Sequence, residues 1–246
     1  MPRPANPDRA PRASARLSRD AILSAGIDLA DREGLGGLSM RRLGQELGVN
    51  PMSLYHHLQD KDALLEAMVD AVVAGIAPDH EARVAARHDA WTWTDEVREL
   101  LTAARRTMLD HPWTVQALQQ MHTPTPATLR HLDRLLAAMR RGGCSVDLGH
   151  HAVHLLGSRM LGFSQDLFVE SPSDRPDVGT DTDPAVREAR YRAMAEAYPR
   201  VAELALAASH NGGLGGCDDD LEFCLALDIL LDSLERRRLA TTNGGG

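Results

Sequence analysis

Lysine is almost missing from this chain: Lys61 is the only one among 27 basic residues. Against 35 acidic residues the balance is −8, which excludes a protein that coats nucleic acid without selectivity. Cysteine is scarce as well. Cys144, Cys217 and Cys224 are too few and too scattered for a disulfide framework, and none stands in a Cys-x-x-Cys pair. They read as small buried hydrophobes in a reducing compartment. No run of eighteen apolar residues occurs, so no membrane-spanning helix and no membrane partner are expected. Met1–Arg19 is rich in Pro, Ala and Arg and has no apolar centre of the kind a secretion signal needs, so the expected location is the cytoplasm. Also lacking is any long alternation of β-branched and polar residues, and the expected fold is all α.

What the chain does have is an uneven charge distribution and a series of helix signals. Residues 1–62 carry nine basic against eight acidic residues, whereas the remainder carries 18 against 27. The acid therefore lies away from the N-terminal region. Arg3, Arg9, Arg12, Arg16 and Arg19 face only Asp8 and Asp20, and residues 1–16, poor in large apolar side chains, are expected to be a disordered basic arm able to lie along phosphates. Ser18 suits the N-cap of a first helix with Ile22, Ala25, Leu29 and Ala30 on one face, ending at Gly34. Ser39 starts a second, short helix with Met40, Leu43 and Leu47, closed by Gly48. Asn50 followed by Pro51 gives a third start, running to Leu58. A fourth begins at Asp60 and reaches about Ile76, where Pro78 stops it.

Two short helices joined by a tight glycine-containing turn, Ser39–Leu47 and Asn50–Leu58, form the pattern of a helix-turn-helix, whose second helix enters the major groove. Gly44, a poor helix former in mid-helix, is expected where that second helix crosses closely. With Leu54 and Leu58 facing inward, Asn50, Pro51, Met52, Ser53, Tyr55, His56 and His57 are the candidate DNA-facing residues. Ser53 suits a base edge, Met52 or Pro51 a thymine methyl, and Tyr55 and His57 phosphates. Arg41 and Lys61 are candidate phosphate clamps. The competing reading is a solvated charged face of an ordinary bundle.

The segment from Leu43 to Leu65, LGQELGVNPMSLYHHLQDKDALL, closely resembles the recognition segment of the tetracycline-repressor (TetR) family, with the Leu-Tyr pair, the Lys and the Leu-Leu in register. With the first helix the likeness covers about fifty residues. It implies a bacterial, homodimeric, ligand-responsive repressor that is not an enzyme. The expected organisation is a three-helix DNA-binding domain with its helix-turn-helix over residues 17–78, then a ligand-binding and dimerisation domain over 79–240. Its partners would be double-stranded operator DNA and a small-molecule effector.

Beyond residue 90, helical patterns recur near 92–110, 113–121, 127–141, 146–168, 185–208 and 218–238, with a long polar loop over Val169–Pro184. Trp91–Asp95, Asp110-His-Pro-Trp113, Thr123-Pro124 and Gly142-Gly-Cys-Ser-Val146 resemble the C-terminal domain of the tetracycline-repressor subgroup. That resemblance implies a pocket within each subunit and a four-helix dimer interface from residues 146–168 and 218–238, both of them apolar beyond one narrow stripe. Met108, His111, Trp113, Met121, His122 and Phe163 are the candidate ligand contacts, with plain core as the alternative. Tetracycline repressors hold a ligand-bound magnesium ion through a histidine on the long helix. Ser158 stands at that place here, so tetracycline with magnesium is not the expected effector, and no cofactor or metal is expected. His150, His151 and His154 have spacings that suit zinc. A metal-dependent enzyme built on them is the alternative of a different class, set against surface or interface histidines.

Overall fold

The computed structural model describes residues 17–77, 91–161, 195–207 and 219–243, with the single positions Arg83, Ala189, Arg192 and Ala193. Among the described residues all regular structure is helical. The expected arm at 1–16, Phe163, Cys217 and the loop over Val169–Pro184 lie outside them.

Each of the first four helices starts at the cap its sequence supplies. In α1 (Arg19–Gly37) the Ser18 hydroxyl accepts the Ala21 N–H at 3.1 Å, and Ile22, Leu23, Leu29 and Ala30 are buried. The expected end at Gly34 is a break rather than a stop: Gly34 takes φ 68° and ψ 180°, and a short turn continues to Gly37. Ser39 caps α2 (Met40–Leu47) by accepting from Arg42 N–H, and Gly48 closes it in the left-handed conformation at φ 67°. Asn50 then caps α3 (Pro51–Leu54), which is shorter than expected because residues 55–57 form a turn. Asp60 caps α4 (Lys61–Ala74), its carboxylate accepting the Ala63 N–H at 2.7 Å.

Ile22, Leu29, Leu38, Leu43, Leu54, Leu64 and Met68 make the core beneath these helices, with α1 packed on α2 and α4, and α2 packed on α3. Gly44 lies where the expectation placed it. A Cβ there would meet Pro51 Cγ at 3.0 Å and the Val49 carbonyl at 3.1 Å, so only glycine lets α3 come this close. Beyond α4 follow α5 (Trp93–Asp110), α6 (Trp113–Gln120), α7 (Pro126–Arg141), α8 (Val146–Leu161), α9 (Pro199–Ala207) and α10 (Asp219–Asn243). Thr92 and Asp95 form a reciprocal capping box at the start of α5. Helix α4 packs against α5, α6 and α7 as well as against α1. Its buried Leu64, Met68, Val69, Val72 and Val73, with the buried Ile76 just past its end, therefore serve both sides.

The described residues fall into two compact units, one up to Val153 with those from Thr241 onward, the other His154–Ala240. The second unit's α10 carries two apolar rows. Phe223, Leu227, Leu231 and Leu234 are buried, while Leu221, Leu225 and Ile229, spaced four apart, stay 56–60% exposed.

Candidate nucleic-acid interface

The turn between α2 and α3 is fixed by backbone bonds alone: Gly48 N–H donates to the Gln45 carbonyl and Val49 N–H to that of Gly44 at 2.9 Å. Asn50 spends its side-chain oxygen on the Met52 N–H at 2.9 Å. Leu54 is fully buried and Leu58 nearly so, which orients α3. The residues around Leu54 are then left at the surface to differing degrees. Met52 is 67% exposed and Tyr55 44%, His56 and His57 are exposed in the turn after α3, and Pro51 and Ser53 are half-buried. All of the expected DNA-facing residues from 50 to 57 thus share one turn of chain, and Lys61, exposed, opens α4 just beyond.

Which cations are free is decided by α1. Arg42 donates to Glu33 at 2.7 Å and Arg32 to Glu46 at 2.7 Å, two ion pairs that cross-brace α1 and α2. The Arg42 guanidinium bonded to it holds the Glu33 carboxyl below its ordinary 4.5, and Glu33 in turn raises Arg42. Arg41, one position away, is exposed and makes no hydrogen bond or ion pair among the described residues, nor does the Lys61 side chain. These are the two cations to which the sequence points; the braces, whose partners lie 9 and 14 residues away, carry no local signal.

The candidate ligand residues have a more mixed fate. His111, at the end of α5, turns its Nδ1 to the Asp31 carboxylate of α1 at 2.9 and 3.0 Å. The Trp113 indole N–H donates to the same carboxylate at 2.7 Å. One carboxylate of α1 therefore holds two side chains from beyond α4. A second such tie joins Asp70 of α4 to the start of α7, where the Ala127 N–H donates to it at 2.7 Å. Met108 and Met121 are half-buried and His122 is exposed. Thr114, unnoticed in the sequence, is fully buried with a hydroxyl that meets no hydrogen-bond partner among the described residues. His150, His151 and His154 are exposed, with His151 at 3.8 Å from Asp147. Among the described residues no three His, Cys, Asp or Glu side chains are grouped to hold a metal, so the enzyme alternative gains no support.

Comparison with known proteins agrees with this geometry. The family model "Bacterial regulatory proteins, tetR family" matches residues 22–68, and the model "Tetracyclin repressor-like, C-terminal domain" matches residues 87–238. The chain belongs to the tetracycline-repressor family. It is a DNA-binding transcriptional regulator with a C-terminal domain of the ligand-binding kind. The HTH-type transcriptional repressor DrrR1 of Streptomyces coeruleorubidus is 28% identical over 93% of this chain and 80% of its own length. An HTH-type transcriptional regulator of Saccharopolyspora erythraea is 31% identical over 56% of this chain, and the match spans 55% of that relative. Among solved structures, a possible TetR family regulator from Streptomyces coelicolor A3(2) has TM-score 0.67 and 26% identity, covering 89% of this chain and 99% of its own. No described helix is long and apolar enough to cross a membrane.

Proposed function

We propose that the chain is a cytoplasmic repressor that acts as a homodimer, holds a palindromic operator when unliganded, and releases it on binding a small apolar or amphipathic molecule. The observation that carries this is the outward surface of residues 50–57, fixed by two caps and a glycine crossing and flanked by the uncommitted cations Arg41 and Lys61. Arg41 and Lys61 clamp phosphates, Tyr55 and His57 donate to the backbone, and Pro51, Met52, Ser53 and His56 face the base edges. Organisation by role places DNA binding in residues 17–78 and ligand binding with dimerisation in 79–240, with 1–16 an accessory basic arm. Dimerisation is supported by the exposed Leu221, Leu225 and Ile229 of α10, a row with too much apolar surface to leave in water.

The ligand side is built around Met108, His111, Trp113, Met121, His122 and Phe163, the last outside the described residues. The orphan hydroxyl of Thr114 beside Trp113 is what a polar group of a ligand would satisfy. His111 and Trp113 are held by Asp31, so a ligand that displaces either side chain pulls directly on α1. Ligand and operator then favour different populations of one pair of states.

Fluorescence anisotropy of the purified protein on its own upstream intergenic DNA tests the reading, with an unrelated duplex and a salt series as controls. Saturation at two subunits per palindrome, selective over the control, is the expected result. Weak and equal binding to both duplexes at every salt concentration would overturn it.

A further inference from the structure

Resting on the operator reading above, we propose that Met52 is the specificity-determining residue of α3 and that it selects a thymine in each half-site by contact with the C5 methyl group. The residues of α3 and of the turn after it limit which bases they can read. Guanine is most strongly read by Arg or Lys bidentate to O6 and N7, adenine by Asn or Gln bidentate to N6 and N7, and cytosine by a carboxylate accepting from N4. Residues 51–58 read Pro-Met-Ser-Leu-Tyr-His-His-Leu and contain none of these six residue types. Of the two flanking carboxamides, Asn50 turns its oxygen back to cap the Met52 N–H at 2.9 Å, and Gln59 stands past the turn that follows α3.

What remains outward on α3 is chiefly Met52, 67% exposed. A long, unbranched, polarisable side chain held open to water at this place gains nothing for the fold, which distinguishes it from the buried methionines 40, 68 and 139. The one apolar feature of the major groove is the thymine methyl. Ser53 is half-buried and its hydroxyl pairs with any base, while His56 and His57 lie in the turn past α3 and offer single donors. Discrimination by α3 therefore falls on the methyl contact, and it reads A·T pairs by shape and burial instead of by paired hydrogen bonds.

Selection of duplexes from a random library by the full chain, followed by replacement of each selected thymine with deoxyuracil, tests this. Deoxyuracil lacks only the methyl group. At one thymine per half-site the replacement is expected to weaken binding about three- to fivefold, and by about the square of that when both half-sites are changed. Met52→Ala should bind the thymine and uracil duplexes equally while melting like the parent, since the side chain is exposed. Met52→Leu should restore the preference for thymine. Uniform tolerance of uracil, or a loss of binding confined to 7-deazaguanine substitutions, would overturn the proposal while leaving the operator reading intact. No enriched sequence at all would overturn the operator reading itself.

Discussion

In α2, α3 and the turn after them most residues that set the fold are distinct from those left uncommitted at the surface, whereas around α5 and α6 the candidate ligand residues are themselves tied into the fold. Ser39, Gly44, Gly48, Asn50, Leu43 and Leu54 fix the helix-turn-helix, and Arg41, Met52, Tyr55, His56 and His57 are left uncommitted around them. Beyond α4, His111 and Trp113 are candidate ligand contacts and also the two donors on Asp31. A DNA surface requires exposure and free hydrogen-bonding capacity, so its residues separate cleanly from the core. A pocket for an apolar molecule is lined by the kind of side chain that also builds a core.

The largest expected effect tests packing on the ligand side alone. Gly142, at the C-terminal end of α7, lies against Trp93 at the start of α5, and a Cβ there would overlap the Trp93 Cβ and the Cγ and Cδ1 of its indole. Its backbone is ordinary helical at φ −71°, so the requirement is for space and not for conformation. Trp93 is buried in the packing of α5 against α7 and is not a flexible tip that swings aside. Gly142→Ala should cost stability at the upper end of the about 1–3 kcal/mol typical of overpacking, a fall of about 6 °C or more in melting temperature. A parent-like melt in differential scanning calorimetry would show that α5 and α7 part readily there.

A smaller change should separate the two regions without unfolding either. Asp31→Ala leaves the Trp113 indole N–H, in a residue only 4% exposed, without its acceptor, at a cost of about 1–3 kcal/mol. The Asp31 carboxylate bonds to none of residues 41–61. Thermal stability should fall while the selectivity of the operator complex, as a ratio to an unrelated duplex, changes little. Asp31→Asn, which keeps one acceptor oxygen, should recover most of the loss. A collapse of selectivity with unchanged melting would mean instead that Asp31 acts on the DNA face.

How much of this was legible follows the same division. The N-caps Ser18, Ser39, Asn50 and Asp60 and the Gly48 stop were readable because each acts within three residues of its own side chain or backbone. Gly44 was readable because a mid-helix glycine needs a packing reason, and Pro51 supplies it. The regular helix ends sooner than the apolar spacing implies: residues 55–57 form a turn, yet the Leu58 N–H still donates to the Leu54 carbonyl at 3.0 Å and Leu58 keeps its inward place, so the spacing continues where the helix does not. The Glu33–Arg42 and Arg32–Glu46 braces, the Asp31 clasp and the Asp70 tie to α7 join residues 9 to 82 positions apart. Such pairings depend on how helices cross, and no local pattern announces them. Nor does local sequence separate a buried hydroxyl with a partner from one without.

Thr114 supplies the finest test, because the expected effect on stability is nearly nil. Its side chain is fully enclosed and its hydroxyl bonds to nothing among the described residues. Threonine and valine have the same shape, so Thr114→Val keeps the packing and removes only a polar atom that is already unsatisfied. Losing a satisfied hydroxyl would cost about 0.5–1.5 kcal/mol, whereas losing an unsatisfied one is neutral or stabilising. A melting temperature equal to or above the parent's would identify Thr114 as a hydroxyl kept for something other than the fold. In contrast to Asp31, it would then be a ligand-side residue that carries no structural duty, and a measurable fall in melting temperature would return it to the core.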